Sequence, residues 1–304
     1  PRRPILRAMH TGKSGGDQAK EAQLTHLHRR VEIESAGFNL FRGPGFTLRG
    51  VVIHEDPAVG LEPFAYVDAL EARVRLLSLL RGRLEFAALR LDSASVNLVK
   101  TPEGPWNFQR LLSPAAAKRL PSISVRDGRV NLKSGDVKSV FYLSATDLDL
   151  RSSGTPGGPV SFEFSGDPTR SDRTARGFGT MRGRGQWRPS PGGGDLNLLL
   201  ELERSSMGEL VALIHGHDVG VHGQIAAEVR VRGPLSSLDV SGTLQLSEIH
   251  RWDLLPPYAR GGPLDFRGKL DLLSQELDVE TVRTASSTLS VRVRAMDYLT
   301  RPRW

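Results

Sequence analysis

The chain has 304 residues, 38% of them hydrophobic and 25% charged, with no cysteine. That is room for one large or two ordinary domains, at about 100–200 residues each. The proportions exclude a disordered tail, and no run reaches the roughly 18 apolar residues of a spanning helix. The missing cysteine rules out disulfides, thiolate metal sites and a cysteine nucleophile, and leaves the redox compartment open. The net charge of +7 sits at the ends. Residues 1–30 hold seven Lys/Arg against two Asp/Glu, Arg301 and Arg303 add two more, and residues 31–300 balance at 32 basic and 32 acidic. A neutral body with 6% aromatics argues against a nucleic-acid partner.

In chain order, residues 1–22 are basic, with Arg2, Arg3, Arg7, Lys13 and the Gly15-Gly16 pair, and contain no signal-peptide core. They read as a solvated, disordered stretch, set against the alternative of a polybasic arm on anionic lipid. Short helices are expected through Ser78-Leu79-Leu80 into Gly82 and through Trp106 to Leu112 ahead of Pro114. A third follows the Ser205-Ser206 cap, with Met207, Leu210, Val211 and Ile214 at helical spacing up to Gly216.

Elsewhere the dominant signal is alternation with period two. It appears at Val160-Phe162-Phe164, at Leu196-Leu198-Leu200-Leu202, and at Ile225-Ala227-Val229-Val231 with Glu228, Arg230 and Arg232 between. It recurs at Val240-Leu244-Leu246, at Leu264-Phe266-Leu270-Leu272, and at Leu289-Val291-Val293. One apolar and one polar parity predicts half-buried antiparallel strands, since doubly covered parallel strands read as continuous apolar runs. Gly-x-aliphatic steps at Gly82, Gly128, Gly223, Gly242 and Gly268 read as hairpin punctuation. Stretches 153–159, 166–172 and 188–194, rich in Gly and Pro, read as loops.

The search for catalytic chemistry is largely negative. His26-x-His28 and His215-x-His217 with His222 are histidines without a convergent carboxylate set beyond Asp218, and they read as turn residues. There is no Gly-x-Ser-x-Gly, His-Glu-x-x-His or P-loop, and Gly177 to Gly183 has one residue too many for a dinucleotide fingerprint. The carboxylates Glu55 and Asp56 have no partner that periodicity identifies. No cofactor, metal site or catalytic residue is expected.

Residues 44–112 carry an ordered set of motifs. Pro44-Gly-Phe46 leads to Gly50, Glu55-Asp56-Pro57, Gly60, Pro63 and Phe64; then come Leu79-Leu80-Arg81-Gly82-Arg-Leu84, Leu89-Arg-Leu91-Asp92, Val96-Asn97-Leu98 and Gly104-Pro-Trp106-Asn107-Phe108. This set resembles the AsmA family, and Ile123 to Leu132 look like that family's next hairpin; from 133 onward the resemblance is one of style. By their chemistry these residues are structural. Asp56-Pro57 starts a turn, Gly60 permits its closure, Phe64 re-enters the core, and Trp106-Asn107 plugs the end of a groove and caps a short helix.

The resemblance implies a periplasmic, inner-membrane-associated envelope protein of a diderm bacterium, of the bridge-like lipid-transfer class, with a fold that is mainly β. The expected fold is an elongated, curved antiparallel sheet forming an apolar groove, with a few short helices. The expected division is 1–22 as the basic stretch, 23–120 as the AsmA-like region and 121–304 as a groove region truncated at its C-terminal end. The family's membrane anchor is expected to be missing from this chain. Groove candidates are Leu196, Leu198, Leu200, Leu202, Ile225, Val229, Val231, Leu244, Leu246, Leu264, Phe266, Leu270, Leu289, Val291 and Val293. Expected partners are phospholipid or another acyl lipid, the inner membrane, and outer-membrane assembly proteins. The alternatives are a scaffold assisting outer-membrane protein assembly and, further off, a hydrolase of envelope glycans or lipids. A closed sandwich core would use the same apolar residues.

Overall fold

The computed structural model describes residues 20–24, 29–39, 44–57, 59–100, 107, 120–134, 137–155, 157–171, 177–190, 194–215, 219–251, 262–272, 274–284 and 287–296. Among them the backbone forms one sheet of fifteen strands. In order these are β1 (Lys20–Leu24), β2 (Arg29–Asn39), β3 (Gly45–Ile53), β4 (Ala65–Val74), β5 (Phe86–Lys100), β6 (Ser122–Ser134), β7 (Val137–Ser152) and β8 (Val160–Arg170). There follow β9 (Met181–Arg188), β10 (Asp195–Ser206), β11 (Val221–Pro234), β12 (Leu238–Arg251), β13 (Pro263–Asp271), β14 (Glu276–Thr281) and β15 (Arg292–Met296). Two short helices interrupt the series, α1 (Leu76–Leu80) between β4 and β5 and α2 (Met207–His215) between β10 and β11.

Each strand lies beside its neighbours in sequence, and the ladder runs from β1 to β15 without closing on itself. Strands pack substantially only against those ladder neighbours, so the described sheet is open and has no second layer across it. All pairs are antiparallel except β5 with β6, which run parallel from Ala88↔Ser122 to Lys100↔Ser134. A parallel pair needs a crossover of about a dozen residues or more, and residues 101–121 supply its length. The remaining connections lie along two rims, one carrying α1 and the other α2.

The period-two pattern is the reason for this architecture: it gives each strand one apolar side, and sequential antiparallel pairing keeps those sides together. Two buried clusters result. Val31, Val51, Val67 and Ala94 form one across β2–β5, with Leu48, Leu70, Leu91 and Val125 packed against it. Val231, Leu238 and Val240 form the other, with Leu196, Leu198, Phe266 and Leu270 around it. At about 1.5–3 kcal/mol for each fully buried Val or Leu, these clusters pin the two halves of the sheet separately. At α2 the Ser206 hydroxyl accepts the Glu209 N–H at 3.4 Å, as the sequence cap suggests.

Several local expectations are corrected. Of the five punctuating glycines only Gly82 sits in a turn, with φ of 69° after α1. Gly128, Gly223, Gly242 and Gly268 lie inside β6, β11, β12 and β13. Residues 166–170, expected as loop, belong to β8. β15 starts only at Arg292, because the Thr281 hydroxyl donates to Leu289 O at 2.9 Å and accepts from Val291 N at 2.9 Å, taking over groups that a longer strand would pair. Of the helix expected from Trp106 to Leu112, only Asn107 is among the described residues.

Candidate functional site

Register converts the alternation of single strands into lanes that cross the sheet. One lane starts at Phe38 and Phe46 and passes through Ala72, Leu89, Ile123 and Leu150. It continues through Phe162, Gly185, Leu198, Val231, Val240, Gly268, Val279 and Val293. From β2 to β15 every position in it is apolar or glycine. The parallel lane one rung toward the α2 rim holds Leu48, Leu70, Leu91, Val125, Leu148, Phe164, Gly183, Leu200, Val229, Gly242 and Phe266.

The groove candidates fall on this same face. Leu198, Val231 and Val293 are in the first lane and Leu200, Val229 and Phe266 in the second. Leu196 and Leu270 lie one rung toward the α1 rim, opposite Gly233 and opposite Leu238 with Leu277. Leu202, Leu244 and Leu264 share the next rung toward the α2 rim, and Ile225 pairs with Leu246 beyond it. Leu289 and Val291 are different: they precede β15 and are 52% and 42% exposed.

The glycines in the lanes have a packing reason that sequence alone does not display. Gly183 and Gly185 stand opposite Phe164 and Phe162, and Gly242 opposite Phe266. A Cβ at Gly183 would meet the Phe164 ring, one at Gly185 would come within 2.9 Å of Phe162 Cζ, and one at Gly242 within 2.9 Å of Phe266 Cζ. The three rings therefore lie over glycine, filling the vacant side-chain positions of the neighbouring strand.

The other face is charged. Arg126 Nη2 donates to Asp149 Oδ2 at 3.1 Å, Arg182 pairs with Glu203, Lys269 meets Asp239 at 2.6 Å, and Arg267 meets Glu280 at 3.0 Å. Arg292 and Arg294 both close on Asp278 at 2.8 and 2.9 Å, and their hydrogen bonds hold its carboxyl well below the ordinary carboxylate range. Asp149 is also lowered, first by a hydrogen bond from Ser124 and then by Arg126. Two open depressions of about 330 and 430 Å³ lie on this face, among Arg90, Arg126 and Asp149 and among Asp147, Arg182 and Glu201. Their walls offer ion-pair chemistry, not a seat for a hydrocarbon chain. Among the described residues no cluster of His, Asp and Glu has the makings of a metal site.

At the α2 rim of β2–β6 a buried polar network ties distant segments together. Arg29 Nη2 meets Glu55 Oε1 at 2.8 Å, with side chains only 8% and 2% exposed. The same nitrogen donates to Asn107 O at 3.0 Å, and the guanidinium lies 4.0 Å from the centroid of Phe64. Asn107 Nδ2 donates to Glu55 Oε2 at 2.5 Å and to Asn97 O at 2.9 Å, while its Oδ1 accepts from Val99 N at 3.0 Å. Asn97 Nδ2 donates to Pro63 O at 2.7 Å, and its Oδ1 accepts from Asn131 Nδ2 at 3.1 Å across the parallel β5–β6 pair.

Apart from Arg29, the side chains of this network belong to the motif set and the hairpin that follows it, held in one hydrogen-bonded unit. Residues 17–141 match the AsmA family. No curated protein and no solved structure matches the chain.

The AsmA motif residues can now be given their places. The Asp56 carbonyl closes the turn through Pro57 by accepting from Val59 and Gly60 at 2.8 and 3.2 Å. Gly60 itself has no positive φ, and a Cβ there would touch nothing, so the turn does not depend on its being glycine. Asn107 works as a latch on the β5–β6 connection; Gly104, Trp106 and the residues after Asn107 up to 119 lie outside the described residues. Sequence reasoning missed Arg29 and the pairing of Glu55. The partners are far apart along the chain, and no spacing rule joins an Arg at one strand's start to a Glu past the next strand's end. The clue available was the hydrophobic surroundings of Glu55, since a charge there demands a partner.

Proposed function

We propose that this AsmA-region protein is a non-enzymatic carrier of acyl lipid, holding hydrocarbon chains along the apolar face of its open sheet in phospholipid transport or outer-membrane homeostasis of the bacterial envelope. The observation that carries this reading is the lane from Phe38 to Val293, apolar or glycine at every strand it crosses. Fifteen strands at about 4.8 Å spacing extend the face over roughly 65–70 Å. One lipid leaflet contributes about half of a ~30 Å hydrocarbon core, so the lanes are several acyl chains long. Transfer of each methylene out of water is worth about 0.8 kcal/mol, which lets a lane of Leu, Val and Phe hold a chain without a specific polar contact. Headgroups remain at the rims, in water, and no catalytic residue is needed. The lipid-lining residues in this account are the lane positions named above, with residues 121–304 supplying most of the length.

Native mass spectrometry with lipid extraction, on protein purified from a bacterial envelope, tests it. Leu200 and Val229 face each other in register. Leu200→Asp or Val229→Asp puts a carboxylate into the lane and is expected to abolish co-purifying phospholipid. Arg230→Ser, on the charged face, is expected to leave it unchanged. Equal lipid in all three folded variants would overturn the assignment.

A further inference from the structure

We infer that α1 and its flanking arginines form a docking element for an anionic phospholipid bilayer. Four of the five residues of α1 are leucine, and none of the helix is buried. Leu76, Leu77, Leu79 and Leu80 are 59%, 69%, 46% and 83% exposed, and Leu84 just beyond the helix is 46% exposed. Nothing in the local fold requires this. Three other connections on the same rim, through residues 153–159, 189–194 and 235–237, are built of Ser, Gly, Pro and Thr with a single Leu235, and that leucine is buried, while Leu272 of the β13–β14 turn is half-buried.

The chemistry around the leucines chooses the occupant. Arg75, Arg81 and Arg83 bracket the helix, and Arg81 and Arg83 are exposed. Glu85, the acidic residue of this segment, is engaged by the Ser78 hydroxyl at 2.9 Å and by Arg75 at 3.7 Å, so the outward charge is positive. At 3.6 residues per turn the leucines 76, 77, 79 and 80 fall within an arc of about 160°, with Ser78 turned the other way toward Glu85, so the helix presents one broad apolar face. A short apolar face edged by exposed arginines suits a bilayer interface, which takes the leucines toward its acyl chains and sets the arginines at its phosphates. Complementary charge therefore favours an anionic leaflet. The inference does not rest on lipid being carried in the lanes.

The 304-residue chain contains no cysteine, so one introduced thiol reports from one place. Leu80→Cys and Ser236→Cys, each carrying an environment-sensitive nitrobenzoxadiazole dye, would be mixed with phosphatidylcholine vesicles with and without phosphatidylglycerol. Ser236 lies exposed on the β11–β12 turn of the same rim. The expected result is brighter, blue-shifted emission from position 80 alone, on the anionic vesicles. In flotation assays Leu77→Ser with Leu80→Ser should lower vesicle partition by roughly tenfold or more, and Arg81→Ser with Arg83→Ser should remove the preference for anionic lipid. Failure of the unaltered chain to bind anionic vesicles would overturn the inference. So would binding with position 80 left dark, which would assign adhesion to the basic residues 1–30. Loss of carried lipid in Leu200→Asp with vesicle docking intact would keep this surface and the lane reading distinct.

Discussion

The β2–β6 region and the β9–β15 region belong to one sheet and are stabilised differently. In the first, particular side chains meet particular groups: Glu55 takes Arg29 and Asn107, and Asn97 takes Asn131 across the parallel pair. In the second, what matters is parity. Leu198, Val231 and Val240 line up because each is apolar and faces the same way, and another aliphatic residue of similar volume would serve. A region held by specific hydrogen bonds leaves an ordered motif in the sequence; a region held by alternation leaves only a style. That accounts for a family match ending at residue 141 while the sheet continues to β15.

The largest loss of stability is expected at the buried ion pair. Glu55→Ala strands the Arg29 guanidinium in a site where its side chain is 8% exposed, and removing one partner of such a pair costs about 3–5 kcal/mol. Asn107→Ala, which withdraws hydrogen bonds from Glu55, Asn97 and Val99, should cost about 1–3 kcal/mol. Urea unfolding of the single and double variants checks both, and the double variant should lose less than the sum, because the two side chains share one network. A loss of under about 1 kcal/mol for Glu55→Ala would mean that the β2–β6 region, like β9–β15, rests on apolar parity.

In the β9–β15 region the glycines of the lanes set the next largest effects. At Gly242 a Cβ would lie 2.2 Å from the Glu228 backbone oxygen, so Gly242→Ala must move a strand and should cost about 1–3 kcal/mol, whereas Leu198→Ile should cost less than about 1.5. At Gly183 the obstacle is the Phe164 ring, with Cε1 the nearest atom. A ring can swing away, so Gly183→Ala should leave the thermal midpoint closer to that of the unaltered chain than Gly242→Ala does. Its signature should be reduced lipid content, as the displaced ring rises into the lane.

The strands of this sheet were legible because period two survives any choice among Leu, Ile, Val and Phe. Their partners were not. Nothing local tells Leu200 that it faces Val229 or that Phe164 lies over Gly183, since register is settled by the whole ladder. For the same reason Gly242 and Gly268 read as turns, although their backbones are extended and their missing side chains serve the neighbouring strand. The parallel β5–β6 pair was hidden because direction depends on where residues 101–121 return, and a strand's own alternation is identical either way. Motif resemblance reached Asn97 and Asn107 but not Arg29, whose role exists only once Glu55 is buried beside it.

The smallest effect is expected on the charged face of the second region. Asp278 accepts from Arg292 and Arg294, and its carboxyl is held below the ordinary range. A depressed folded-state value means that the ionised carboxylate favours the folded protein, fully so above the unfolded carboxylate range near pH 4. As the pH falls below that range toward the folded value, the contribution is lost. The thermal midpoints of the unaltered chain and Asp278→Asn should therefore differ slightly at neutral pH and converge in acid. The surface position keeps the difference small and salt-sensitive. A constant gap down to low pH would mean that the substitution acts through β14 packing, whereas convergence would show that the charged face adds electrostatic trim to a region whose order comes from its apolar lanes.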